Sequence, residues 1–115
     1  MIGMAISPYL VINIFVFFMD KVNFERNDAK NIENQKKHGL FFDEAQHTFF
    51  NQRRVIAEDS EPSQFEKRFH CFGLDAKGHG IITVRFTYHA NRIRIFGAGY
   101  WRKGKQIYER ANPAH

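Results

Sequence analysis

Past Asn51 the apolar residues stop recurring every three or four positions and begin to alternate, so helices come first and an antiparallel sheet follows. Residues 80–88 (GIITVRFTY) carry the clearest strand signal, dense in β-branched and aromatic side chains. A return strand over 92–96 is expected after the short turn His89-Ala90-Asn91. Alternation sorts the chemistry of this hairpin: Ile93 and Ile95 oppose Arg92 and Arg94, and Val84, Phe86 and Tyr88 oppose Thr83, Arg85 and Thr87. One face is expected to be core and the other cationic. Upstream, residues 53–58 read as a strand with Val55 inward, and residues 59–63 as a loop. A further strand follows, with Phe65, Lys67, Phe69, Cys71 and Gly73 on one face and Glu66, Arg68, His70 and Phe72 on the other. Residues 75–78 (DAKG) close a hairpin. Gly97-Ala98-Gly99 is expected to break the last strand ahead of a helix over 102–110 that carries Ile107 and Tyr108 inward, with Gly104 weakening that helix by about 1 kcal/mol.

Before the switch, residues 21–25 (KVNFE) alternate as a short strand does. Asn27 or Asp28 can cap a helix over 29–38, and Gly39 supplies the left-handed residue that ends it. Asp43 with Gln46 resembles a capping box, opening a short second helix with Ala45, Phe49 and Phe50 as its buried stripe and an end near Asn51. The fold class expected is therefore α+β: an antiparallel sheet of three to four strands, two N-terminal helices on one face and a short C-terminal helix.

Composition narrows the function classes. A chain of 115 residues with 43% hydrophobic and 16% aromatic residues has one domain's worth of core, which excludes wholesale disorder. Its lone Cys71 cannot form an intramolecular disulfide or a Cys-rich zinc site, and a reducing cytoplasm fits it best. Six histidines show no HExxH and no i, i+4 helical pair, and no GxGxxG or GxxxxGK[ST] loop occurs, so neither a metal nor a cofactor is expected. The net charge of +5 is uneven: residues 85–110 hold seven bases against the single acid Glu109, while the preceding part is close to neutral. An anionic partner is expected on that tail, with nucleic acid first.

Residues 1–18 contain no charge, and residues 9–18 read YLVINIFVFF. This run is short for a membrane span and lacks the basic start and small-residue cleavage site of a signal peptide. Met19 is expected as an alternative start, which makes residues 1–19 an N-terminal extension, 20–111 the domain and 112–115 a tail. An added core strand and membrane contact through residues 1–18 are the competing expectations.

Metal-free RNA cleavage needs a base for the 2′-hydroxyl, an acid for the leaving oxygen and cations for the phosphorane charge. Histidine suits the first two near neutral pH and arginine or lysine the third. The cationic hairpin face, with Arg68, His70 and His89 beside it, has this composition, and Tyr100 or Trp101 can stack an unpaired base. The same residues also fit a solvated sheet face, with His38 as a helix-end residue and His47 and His70 as half-buried packing residues.

The segments at residues 24–30 (FERNDAK), 34–39 (NQKKHG), 42–45 (FDEA) and 92–95 (RIRI), followed by a terminal helix ending in Tyr108-Glu109, resemble the BrnT-like toxins of type II toxin–antitoxin systems, small ribonucleases of RelE-like fold. The resemblance covers residues 20–110. It implies an endoribonuclease that halts translation, neutralised by a cognate ribbon-helix-helix-type antitoxin. On that footing the expected catalytic residues are Lys37, His38, Arg68, His89, Arg94 and Arg102, with His38 or His89 as acid or base. Arg85, Arg92, Trp101, Lys103 and Lys105 are expected to bind RNA. Where many members carry arginines in Thr-x-Arg and Ser-Ala-Arg motifs, this chain has His89 and Gly97-Ala98-Gly99. Either the cationic role moves to Arg102 and Lys103, or the chain is a degenerate binding module that pairs with its antitoxin in operon repression.

Overall fold

A computed structural model describes residues 23–25, 27–59 and 66–113. The expected extension over residues 1–19, residues 60–63 of the expected loop, Phe65 of the expected strand and the end of the tail lie outside the described residues. Helix α1 (Asp28–His38) starts where the Asn27 side chain accepts the Lys30 N–H at 3.0 Å and stops at Gly39, whose φ of 72° is left-handed. Helix α2 (Phe42–Ala45) begins earlier than the Asp43–Gln46 pairing predicts. Its cap is Phe41, whose N–H donates to Glu44 Oε1 at 3.4 Å, and the Phe42 N–H donates to Asn31 Oδ1 at 2.7 Å. The chain tightens into a 3₁₀ turn over Gln46–Phe50.

Four strands follow, β1 (Val55–Glu58), β2 (Phe69–Leu74), β3 (Ile81–His89) and β4 (Arg92–Gly99), antiparallel in the order β1-β2-β3-β4. Helix α3 (Arg102–Ala111) closes the chain. This is the α+β architecture expected, compatible with a RelE-like fold. The β3–β4 turn has Ala90 and Asn91 both at positive φ, 52° and 64°, which matches the twist of a two-residue hairpin. The KVNFE strand reduces to a bridge between Phe24 and Ile93, with Lys21 and Val22 outside the described residues.

One strand expectation is corrected. Gly97-Ala98-Gly99 does not break β4; Gly97, Ala98 and Gly99 pair with Arg85, Val84 and Thr83. The irregularity falls one residue earlier: Ile95 pairs with Phe86 and Gly97 with Arg85, so Phe96 is the extra residue of a bulge. The bulge shifts alternation by one, and Ala98 then joins Ile93 and Ile95 in the core.

Period 2 builds two cores from one sheet. Ile56, Cys71, Val84, Phe86 and Ile95 face Leu40, Phe42, Ala45 and Phe49 of the helical half. Phe86 is fully buried and its ring meets Phe49 at 4.9 Å and Phe69 at 5.5 Å, a burial worth about 1.5–3 kcal/mol with further stabilisation from the ring pairs. The alternate residues Val55, Ala57 and Phe72 join Tyr108 of α3 in a second cluster. Helix α3 therefore covers the sheet face that α2 does not, and that face is not wholly cationic: Thr83 and Thr87 are buried on it. Two packing expectations fail. Phe50 is 60% exposed, because the 3₁₀ turn rotates it off the stripe, and His47 is exposed.

Asn34 fastens α1 to β4. It is buried, its Nδ2 donates to the Leu40 and Ala98 carbonyls at 2.8 and 2.9 Å, and its Oδ1 accepts the Ala98 N–H at 3.1 Å. Helix α1 thus runs along β4 and sets what stands at each end of the strand.

Candidate functional site

Only half of the outer sheet face is covered by α3. On the open half, a cleft of about 430 Å³ is lined by Glu25, Asn27, Lys30, Glu66, Arg68, Arg85, Arg94 and Phe96. Four cations against two carboxylates give it a formal charge of +2. The bulge sets its floor: Phe96 lies beneath the Arg68 guanidinium, 4.9 Å from ring centroid to Cζ, and the Arg85 guanidinium stands 5.7 Å from the same ring. Gly97 lies beside the Arg85 side chain, where a Cβ would stand in ordinary van der Waals contact with its Cδ at 3.6 Å.

Glu25 organises the far wall. Its Oε1 accepts from Arg94 Nε at 2.7 Å, and its Oε2 lies 2.7 Å from His89 Nδ1. Hydrogen bonds from Arg94 first and His89 second hold the Glu25 carboxyl below the usual carboxylate range, and the same Glu25 contact raises the Arg94 guanidinium. Glu66 stands 3.8 Å from both Arg68 Nε and Arg94 Nη1, so a looser acidic neighbour restrains the cations from the other side. His70, paired across the sheet with Arg85, is half-buried. Burial lowers its pKa, the positive Arg85 and Lys103 lower it further, and Asp59 opposes them.

The expected catalytic residues divide among three places. Arg68 and Arg94 line the cleft with Arg85, and His89 stands at its rim through Glu25. Lys37 and His38 stand at the other end of α1, roughly 16 Å along the helix axis from Asn27. There the His38 ring meets Trp101 edge-on at 5.2 Å, and Lys37 pairs with Glu33 at 3.0 Å. Arg102 and Lys105 line a second groove of about 490 Å³ between α3 and the β2–β3 turn, together with Trp101 and Tyr100. Arg92 and Lys103 are exposed outside both.

Two features escape a reading by spacing. Glu25 and Glu66 enter the cleft from segments that sequence reading gives only to strands, and their acidity in a cationic site is visible only once the segments are packed. At the changed Ser-Ala-Arg position, Gly99 is covered by the Trp101 indole, and a Cβ there would meet the ring at 2.7 Å. Among the described residues no three His, Cys, Asp or Glu side chains come together as a metal-binding group, and no helix is long and apolar enough to cross a membrane.

A family model described as "Ribonuclease toxin, BrnT, of type II toxin-antitoxin system" matches residues 27–104. That span holds α1 through β4 and the first turn of α3, including every cleft residue except Glu25. No curated protein matches the chain.

Proposed function

The chain belongs to the BrnT family of ribonuclease toxins of type II toxin–antitoxin systems, and from that premise we propose that it is a metal-independent endoribonuclease that cleaves RNA in the cytoplasm and so inhibits translation. The observation that carries this reading is the open cleft lined by Arg68, Arg85 and Arg94 together with Phe96, beside a histidine bonded to a carboxylate. Guanidiniums disperse the charge that builds on a phosphorane, and His89 exchanges a proton at the reacting oxygen. Trp101, Lys103 and Lys105, outside the cleft, guide the flanking RNA, while Lys37, His38 and Arg102 bind it further along. The protein partner is a cognate antitoxin of ribbon-helix-helix type.

A second reading, a degenerate toxin that keeps antitoxin pairing and operon repression, is favoured by one observation: Trp101 lies on Gly99 where an arginine is expected. One assay separates the two. The purified full chain is incubated with a single-stranded RNA oligonucleotide in excess chelator, beside Arg85→Ala and Arg94→Ala. Cleavage by the wild-type chain, reduced about 100-fold or more in each variant, supports the ribonuclease reading. Intact RNA leaves the degenerate reading standing, and full activity in both variants sinks the cleft as the site.

A further inference from the structure

The contacts around His89 Nδ1 are overdetermined. This nitrogen lies 2.7 Å from Glu25 Oε2 and 2.8 Å from Arg94 Nη2. A carboxylate only accepts and a guanidinium only donates, so one ring nitrogen cannot serve both. If Nδ1 accepted from Arg94, the Glu25 oxygen would face a lone pair with no proton between them. If Nδ1 carries the proton, each Glu25 oxygen has one donor, Arg94 Nε on Oε1 and His89 on Oε2. The second arrangement satisfies both oxygens of the carboxylate, and Arg94 Nη2 then stands beside the Nδ1–H without a hydrogen bond to it.

We propose that Glu25 is a positioning residue that fixes His89 in the Nδ1–H tautomer and turns its bare Nε2 outward to act as the base on a ribose 2′-hydroxyl. This rests on the ribonuclease reading above. Exposure follows the same order: the Glu25 side chain is 23% exposed, Arg94 35% and His89 53%, so the imidazole is the member of the group that RNA can reach. The step balances. The 2′-oxygen bonds to phosphorus as its proton passes to His89 Nε2, the P–O5′ bond breaks, the 5′-oxygen takes a proton from water, and the hydroxide so left takes the proton back from His89 Nε2, which restores the base. The products are a 2′,3′-cyclic phosphate and a 5′-hydroxyl. Glu25 faces the imidazolium so formed through the Nδ1–H, and the cleft arginines face the phosphate. The other charged groups around His89 are Arg94, Arg92 across the turn and Glu66 beyond Arg94.

Two measurements on the full chain test this. The first is the pH dependence of RNA cleavage for wild type, His89→Ala, Glu25→Gln and Glu25→Asp. The expected result is a loss of about 100-fold or more in His89→Ala. Glu25→Gln is expected to lower kcat at least about 10-fold with KM little changed and to displace the acid limb of the profile, and Glu25→Asp to recover part of the rate. The second is ¹⁵N NMR of the His89 ring, where Nδ1–H is expected in wild type and a shift toward Nε2–H in Glu25→Gln. A Glu25→Gln enzyme with wild-type kcat and pH profile overturns the role of Glu25 while the ribonuclease reading stands. An unchanged tautomer overturns it without reference to activity. A wild-type chain that leaves RNA intact removes the reading itself, and the base assignment of His89 with it.

Discussion

His70 shows how one side chain can carry two opposed consequences. It lies between the covered and open halves of the outer sheet face, paired with Arg85 and with its ring 5.8 Å from Phe72. Burial disfavours the imidazolium, so its pKa falls below the ordinary 6.5. As pH drops through that value the unfolded chain takes up a proton that the folded chain refuses, and the fold loses stability. The window is separate from that of Glu25, whose depressed carboxyl contributes stability that is lost only below the ordinary 4.5. Thermal melts between about pH 8 and pH 5 should show Tm falling with acidification, and His70→Gln should flatten that slope. An equally steep slope in the variant would assign the acid sensitivity to other groups. Residue identity made His70 visible as a titratable packing residue, whereas the sign of its shift came first from its burial in the packed sheet, with Arg85 and Lys103 adding to it against Asp59.

Among the elements, α3 departs furthest from what its composition suggests. Judged by helix propensity, Gly104 is a weakness of about 1 kcal/mol. In the fold Gly104 is buried, and a Cβ there would collide with Thr83 Oγ1 and stand 3.0 Å from Phe72 Cδ1. The glycine is what lets α3 approach β3, and the missing side chain belongs to the interface rather than to the helix. Gly104→Ala should therefore destabilise the protein despite the better helix former, by about 1–2 kcal/mol, seen as a Tm lower by roughly 5–10 °C. A higher Tm would show that propensity outweighs the close packing. The other elements were legible for local reasons. Asn27 and Gly39 bound α1 through capping chemistry, and the β-branched run made β3 plain. The extent of β4 was not, because two glycines read as a break when no partner strand is considered, and the β3 ladder carries them through to Gly99.

Across the whole molecule, the charge that sequence concentrates in residues 85–110 is not one surface. Arg85 and Arg94 go to the cleft, where Arg68 and Lys30 from outside that segment join them, and Arg102 and Lys105 go to the groove beside α3. Three cleft arginines on RNA phosphates predict that the logarithm of the affinity for single-stranded RNA falls with the logarithm of salt at a slope of about −2. Arg85→Ala should make that slope shallower by somewhat under one unit, measured by fluorescence titration with an uncleavable 2′-deoxy-substituted strand. No change in slope would mean that Arg85 touches no phosphate. The sequence by itself determined the α+β class, the order of elements, the caps of α1, the core alternation of β3 and the family motifs, because each depends on neighbours a few positions away. Only the tertiary structure decided that His89 meets Glu25 while His38 meets Trp101, 64 and 63 positions along the chain respectively. Those meetings depend on where α1 is fastened to β4 by Asn34 and on the bulge at Phe96, which turns one residue of the strand outward. Alternation and spacing record which face a side chain takes, but distance across the sheet is set by packing, and packing is a property of the assembled layers.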